Sequence, residues 1–214
     1  MLYDCTQLAE RERGITAAIE AVNRGDLVVM PTDTVFGIGA HAFKSWSVTA
    51  LNNAKGRPAP VPVLVGSRHT LDGLVFGLPP AARDLVDAFW PGALTLVVEY
   101  ASSLQWELGS TDGTCAVRMP VHPVALEVLR ETGPMAVASA NKVGQPAPTT
   151  AEEAREQLGY AVSVYLESPA TLDAGASTIV DVSGDEPRVV RLGGISLAQI
   201  QDVVPGILPP VTAA

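Results

Sequence analysis

The stretch LVVMPTDTVFGIGA, residues 27–40, decides what kind of fold this chain has. Four apolar residues, Leu27 to Met30, follow closely on Gly25, which ends an amphipathic helix whose apolar residues Ile15, Ala18, Ile19 and Val22 recur at i, i+3, i+4 and i+7. A helix that stops on glycine and hands over to a short buried strand opens an α/β arrangement. The strand leaves through Pro31-Thr32-Asp33-Thr34, at the end where open α/β sheets place their ligands. Gly37-x-Gly39-x-x-Ala42 matches a dinucleotide fingerprint as text. That fingerprint needs a strand running straight into its first glycine and an acid about 20 positions on. Pro31 to Phe36 intervene, and Ala59 to Pro62 hold no acid. The glycines are therefore expected to let the chain turn sharply behind a pocket. Thr32, Asp33 and Thr34 offer polar groups to a ligand, the alternative being a turn in which Asp33 bonds nearby backbone.

Outward from this stretch the pattern continues to alternate. Val48 and Leu51 suggest a second helix ending near Gly56-Arg57-Pro58, followed by a short strand from Val61 to Val65. Ala82, Leu85, Val86 and Phe89 repeat the helical spacing after Pro79-Pro80, and Trp90-Pro91-Gly92 breaks it before a strand from Leu94 to Tyr100. Thr114 to Met119 alternates, with Thr114, Ala116 and Arg118 on one face. Pro123 suits the first turn of a helix reaching Arg130 and stopping by Gly133. Met135 to Ala138, Val162 to Leu166, Thr178 to Val182 and Arg188 to Arg191 read as strands. Thr150 with Glu153 and Ser196 with Gln199 have capping-box spacing and start two more helices. The expectation is one α/β domain over residues 1–208, built on a twisted open mixed sheet flanked by helices, with a weak tail from Pro209 to Ala214.

Composition narrows the ligand. A net charge of −9 argues against a broad nucleic-acid surface unless the cations gather on one face, so small molecules are the expected partners and direct tRNA binding is expected to be weak or absent. No apolar run approaches the roughly 20 residues of a membrane span, and the N-terminus lacks a signal-peptide pattern, which points to the cytoplasm. Cys5 and Cys115 are too few for a disulfide framework or a zinc site, and His41, His69 and His122 share no ligand spacing. There is no P-loop sequence and no G-x-S-x-G elbow.

What stands out is a small set of cations in an acidic chain. Lys55 and Arg57 flank a helix end, a weak signal alone. Arg118 lies mid-strand in an apolar context and needs an acidic partner or an anionic ligand. Ser139-Ala140-Asn141-Lys142 follows a buried strand, Ser177 begins another, and Arg191 closes one before Gly193-Gly194. Cations with hydroxyls at strand ends suit triphosphate chemistry assisted by a magnesium ion.

In order along the chain, PTDTVFGIGAHA, AKGRP, FWPGALTLVV, AVRMPVHPVALEVLR, ASANKVGQPAPTT and STIVDVSGDEPRVVRLGGIS resemble the YrdC-like family of threonylcarbamoyl-AMP synthases, from about residue 12 to residue 203, in the single-domain form. The resemblance implies a twisted sheet around a large concave, locally positive cavity. It implies conversion of L-threonine, bicarbonate or carbon dioxide, and ATP with Mg2+ to threonylcarbamoyl-AMP and pyrophosphate, the product passing to a partner transferase that modifies tRNA. Carried over residue by residue, Thr34, Arg118 and Ser177 would hold threonine. Lys55, Arg57, Thr114, Ser139, Asn141 and Arg191 would contact ATP, with Lys55 and Arg57 also assisting the chemistry. Phe36, Val61, Gly66, Ala138, Ala147 and Leu192 depart from the usual pattern, Val61 and Gly66 standing where members often carry asparagine and histidine. The competing reading is a YrdC-like RNA-binding or regulatory protein without the reaction. A third, carbamoyl transfer of the hydrogenase-maturation type, goes with extra domains and zinc-type cysteines.

Overall fold

The computed structural model describes residues 1–56, 60–75, 77–109, 112–169 and 175–211. Its first helix, α1 (Leu8–Arg24), ends where the sequence says it should. Gly25 adopts φ 94°, a left-handed cap open to glycine at little cost, and its N–H bonds back to Ala21 and Val22. Strand β2 (Val28–Met30) follows, fully buried. Pro31 to Phe36 then form a compact turn organised by Thr32, whose hydroxyl accepts from the N–H of Thr34 and of Val35 and donates to the Val35 carbonyl at 2.6 Å.

The glycines that follow are not a turn. Gly37–His41 is strand β3, antiparallel to β2 with Gly39 opposite Val28. The reason for glycine is lateral crowding: a Cβ at Gly37 would stand 2.6 Å from Val137 Cγ1, and one at Gly39 2.5 Å from Met135 Cε. Both neighbours belong to β7 (Met135–Ser139), which pairs with β3 along its whole length. The expectation of a sharp bend is corrected. Missing side chains let a large-residue strand lie alongside.

Beyond β3 come α2 (Ser45–Lys55), capped by Gly56 at φ 88°, and β4, shortened to Val63–Leu64. Helix α3 (Arg68–Leu74) was not foreseen; Ser67 caps it by accepting from the Thr70 N–H. Next are α4 (Pro80–Phe89), β5 (Leu94–Glu99), β6 (Thr114–Arg118) and α5 (Pro123–Thr132). After β7 follow α6 (Ala151–Leu158), β8 (Val164–Glu167), β9 (Thr178–Asp181), β10 (Arg188–Arg191) and α7 (Leu197–Val203). Ser196 and Gln199 make the complete capping box. At α6 only half forms, because Glu153 turns to the Thr149 N–H and hydroxyl instead. Leu2–Asp4, β1, was also missed: three residues are too few to show periodicity.

The ten described strands form one mixed sheet in the order β1-β8-β2-β3-β7-β4-β6-β5-β9-β10. Helices α1 and α5 cover one face, packing Ile15, Ala18, Val22, Val128 and Leu129 over Val28, Met30, Met135 and Leu166. The other face carries Val29, Ile38, Val63, Leu96 and Val117 beneath α2, α4, α6 and α7. Both cysteines are buried and unpaired, and burial pushes Cys5 up to about 11 and Cys115 to about 12, so neither is a reactive thiolate. At the C-terminal end Leu208 still pairs beside Arg188, and residues 212–214, the end of the expected tail, lie outside the described residues. Among the described residues no helix is long and apolar enough to cross a membrane.

Candidate active site

A hollow lies where β2, β4, β6 and β7 end against β5, β9, β10 and the last turn of α2. It is a cavity of about 520 Å³ that brings together Thr34, Lys55, Arg118, Ser139, Ser177 and Arg191. These six come from residues as far apart as 34 and 191, so only the fold could assemble them. Two other candidates fall elsewhere. Thr114 sits at the far end of β6, opposite Glu99, and is not among the lining residues. Asn141 does not line the cavity either: its amide nitrogen donates to the carbonyls of Lys142 and Gln145, and its backbone carbonyl accepts from Lys55. Arg57 lies outside the described residues.

Arg118 anchors one side. Its Nη2 pairs with Asp33 Oδ2 at 2.5 Å, its Nη1 donates to Thr34 Oγ1 at 2.7 Å, and its Nε donates to the Gly92 carbonyl at 2.9 Å. The two charged side chains are only 7% and 10% exposed, so this is a buried ion pair. Asp33 uses its other oxygen to accept from the Val121 N–H at 3.1 Å, tying the β2–β3 turn to the entry of α5. Asp33 is thus neither ligand-facing nor bonded to its own turn. It is the acidic partner Arg118 needed. Burial pulls the Arg118 guanidinium below its ordinary value, Asp33 pushes it back up, and the nearby positive charge of Arg191 lowers it again.

Lys55, the last residue of α2, reaches across to the end of β7. Its ammonium donates to the carbonyls of Ser139 at 2.6 Å and Asn141 at 2.8 Å, and lies 3.3 Å from Ser139 Oγ. Arg191 closes the opposite wall, donating from Nη2 to the Ser177 carbonyl at 2.8 Å and to Ser177 Oγ at 3.3 Å. Among the described residues the cavity is lined by three cations, Lys55, Arg118 and Arg191, and by no carboxylate, Asp33 being buried beneath Arg118. That surplus, at short range in a partly desolvated hollow, favours an anionic occupant.

Two of the departures from the family pattern acquire reasons. Val61 lines the cavity with an apolar surface. Gly66 has no room for any side chain, since a Cβ there would meet the backbone of Leu129 and Arg130 at 2.7–3.0 Å. A tighter contact lies next to the site: a Cβ at Gly193 would fall 2.1 Å from the Ala176 carbonyl and 2.5 Å from Ser177 C. Gly193→Ala is expected to destabilise the fold by about 1–3 kcal/mol through overpacking and to displace Ser177. Urea unfolding beside substrate titration checks it, and a variant equal to the native protein in both would contradict this packing.

Sequence reasoning missed Asp33 as the partner of Arg118 and missed Thr95, a buried hydroxyl on β5 that also lines the cavity. For Thr95 the only signal was a lone hydroxyl inside the apolar run Leu94 to Val98.

A mixed open sheet whose strand ends enclose a cation-rich, hydroxyl-lined cavity defines a small-molecule site of α/β type. The model of the Sua5/YciO/YrdC family, described as telomere recombination, matches residues 20–193, and the chain belongs to this family. A Mycobacterium tuberculosis (strain H37Rv) protein, provisionally named a threonylcarbamoyl-AMP synthase, is 56% identical over 204 residues, covering 94% of each chain. The threonylcarbamoyl-AMP synthase of Bacillus subtilis is 35% identical over 92% of this chain and 58% of its own length. The crystal structure of Pyrococcus abyssi Sua5 complexed with L-threonine superposes with a TM-score of 0.87 at 32% identity, covering 98% of this chain and 62% of that one. This chain thus spans about three fifths of the longer relatives and nearly all of the mycobacterial one.

Proposed function

We propose that the chain is a threonylcarbamoyl-AMP synthase, converting L-threonine, bicarbonate and ATP to threonylcarbamoyl-AMP, pyrophosphate and water. The observation that carries this reading is the gathering of Arg118, Arg191 and Lys55 around one cavity with the hydroxyls of Thr34, Ser139 and Ser177, in a chain whose relatives bear that name. The amino-acid end is assigned to Arg118, Thr34 and Ser177, where a planar, preoriented guanidinium suits a carboxylate. The nucleotide end is assigned to Lys55, Ser139 and Arg191, with Arg57 and Thr114 as further contacts and Asn141 supporting Lys55 through its carbonyl.

The two reactants are both anions and repel one another. The work of the site is to hold the carbamate oxygen of threonine in line with the α-phosphorus of ATP while pyrophosphate leaves, which is positioning plus charge stabilisation and requires no protein nucleophile. Magnesium would be held by the nucleotide phosphates and would neutralise charge there, Asp33 having both oxygens engaged by Arg118 and the Val121 N–H. The product would pass to a transferase acting on tRNA, and a cytoplasmic location goes with that task.

Purified protein with ATP, L-threonine, bicarbonate and magnesium is expected to release pyrophosphate, with little released when threonine is omitted. Release that ignores threonine, or none under any condition, refutes the synthase reading.

A further inference from the structure

We infer that Thr95 is a further substrate-binding residue, donating its hydroxyl proton to the carboxylate of the amino-acid substrate; this rests on the synthase reading and deepens its amino-acid site. Leu96 stands opposite Val117 across the antiparallel pair β5 and β6, so one step further Thr95 comes alongside Arg118. Both side chains line the same cavity. On its other side Thr95 Oγ1 lies 2.8 Å from Ser177 Oγ, and Ser177 is held in turn by Arg191. A polar row therefore crosses the sheet from Thr34 through Arg118, Thr95 and Ser177 to Arg191, with Thr95 between the two guanidinium groups.

This row has one hydroxyl proton more than it has acceptors among the described residues. Thr95 and Ser177 are 5% and 8% exposed, and their two hydroxyls carry two protons. One proton makes the bond between them; among the described residues the other has no acceptor. A guanidinium can only donate, so Arg191 Nη2 must approach a lone pair of Ser177 Oγ. That favours Ser177 as the donor within the pair over Thr95, an arrangement in which the proton of Thr95 is left over. A buried donor without an acceptor is costly, and a ligand that supplies one removes the cost. A carboxylate only accepts, and beside Arg118 and Ser177, the groups assigned to the amino-acid end, it is the acceptor the substrate brings, Arg191 reaching the row from the nucleotide end through Ser177. Arg118 already presents a planar face there, so Thr95 completes the contact from the neighbouring strand.

Thr95→Val removes the hydroxyl and keeps the shape. Calorimetric titration of L-threonine into the variant without ATP is expected to show affinity weaker by about tenfold or more, the scale of one hydrogen bond to a charged group. ATP affinity is expected to stay at the native value, and Thr95→Ser, which restores the hydroxyl, to recover threonine binding. Thr95→Ala serves as a second deletion should the valine variant fold poorly. Unaltered threonine affinity in a folded variant, or equal losses for threonine and ATP, overturns the inference. An effect confined to the KM for bicarbonate also overturns it, because the contact would then be to the carbamate. Native protein that binds no threonine removes the proposed function and this inference with it. Native binding with an indifferent Thr95→Val variant removes this inference alone.

Discussion

Arg118→Ala is expected to raise the Kd for L-threonine by about 100-fold or more, the loss of a bidentate contact worth about 1.5–3 kcal/mol per charged hydrogen bond, while ATP binding falls far less. The asymmetry follows from placement. Arg118 lies among Thr34, Thr95 and Ser177, whereas Lys55 and Ser139 form a separate cluster at the end of β7. Titration of each substrate separately into the folded variant decides the matter, and equal losses would mean that Arg118 does not face the amino acid. Arg118→Lys keeps the charge but loses the fork that spans Thr34, Asp33 and Gly92, so it should rescue folding more than threonine affinity.

Asp33→Ala carries the largest expected effect on stability. It leaves the Arg118 guanidinium buried without its counter-charge and deprives the Val121 N–H of its acceptor, for an expected loss of about 3–5 kcal/mol. The double variant Asp33→Ala/Arg118→Ala removes both charges and should lose clearly less than the sum of the single variants. Chemical denaturation of the four proteins gives the coupling directly. Additive losses would show that the pair contributes nothing as a pair.

How much of this was readable beforehand depends on whether a residue's partner is local. Helix ends were readable because Gly25, Gly56 and Ser196 act within one turn of themselves. Arg118 was readable as a charge needing a partner, but Asp33 could not be singled out: it lies 85 residues away, and a turn offered it a sufficient local role. The glycines of β3 misled for the same reason. Gly37 and Gly39 look like turn residues until β7, a hundred positions later, is laid beside them with Val137 and Met135 filling the space. Thr114 and Asn141 were carried over by family resemblance. Neither is among the lining residues of the cavity, though the Asn141 carbonyl accepts from Lys55, which is.

The strand order has a consequence for how the protein is made. β8 inserts between β1 and β2, β7 between β3 and β4, and β9 and β10 add to β5. As the chain leaves the ribosome, β1 and β2 wait for more than a hundred residues before their common neighbour arrives, with their hydrogen-bonding edges open in the meantime. The cavity, whose wall begins at Thr32 and ends at Arg191, closes only after β10 has docked. Ligand binding can therefore assist only the last step of assembly, and interrupted synthesis would leave products with open strand edges, candidates for aggregation rather than for partial activity.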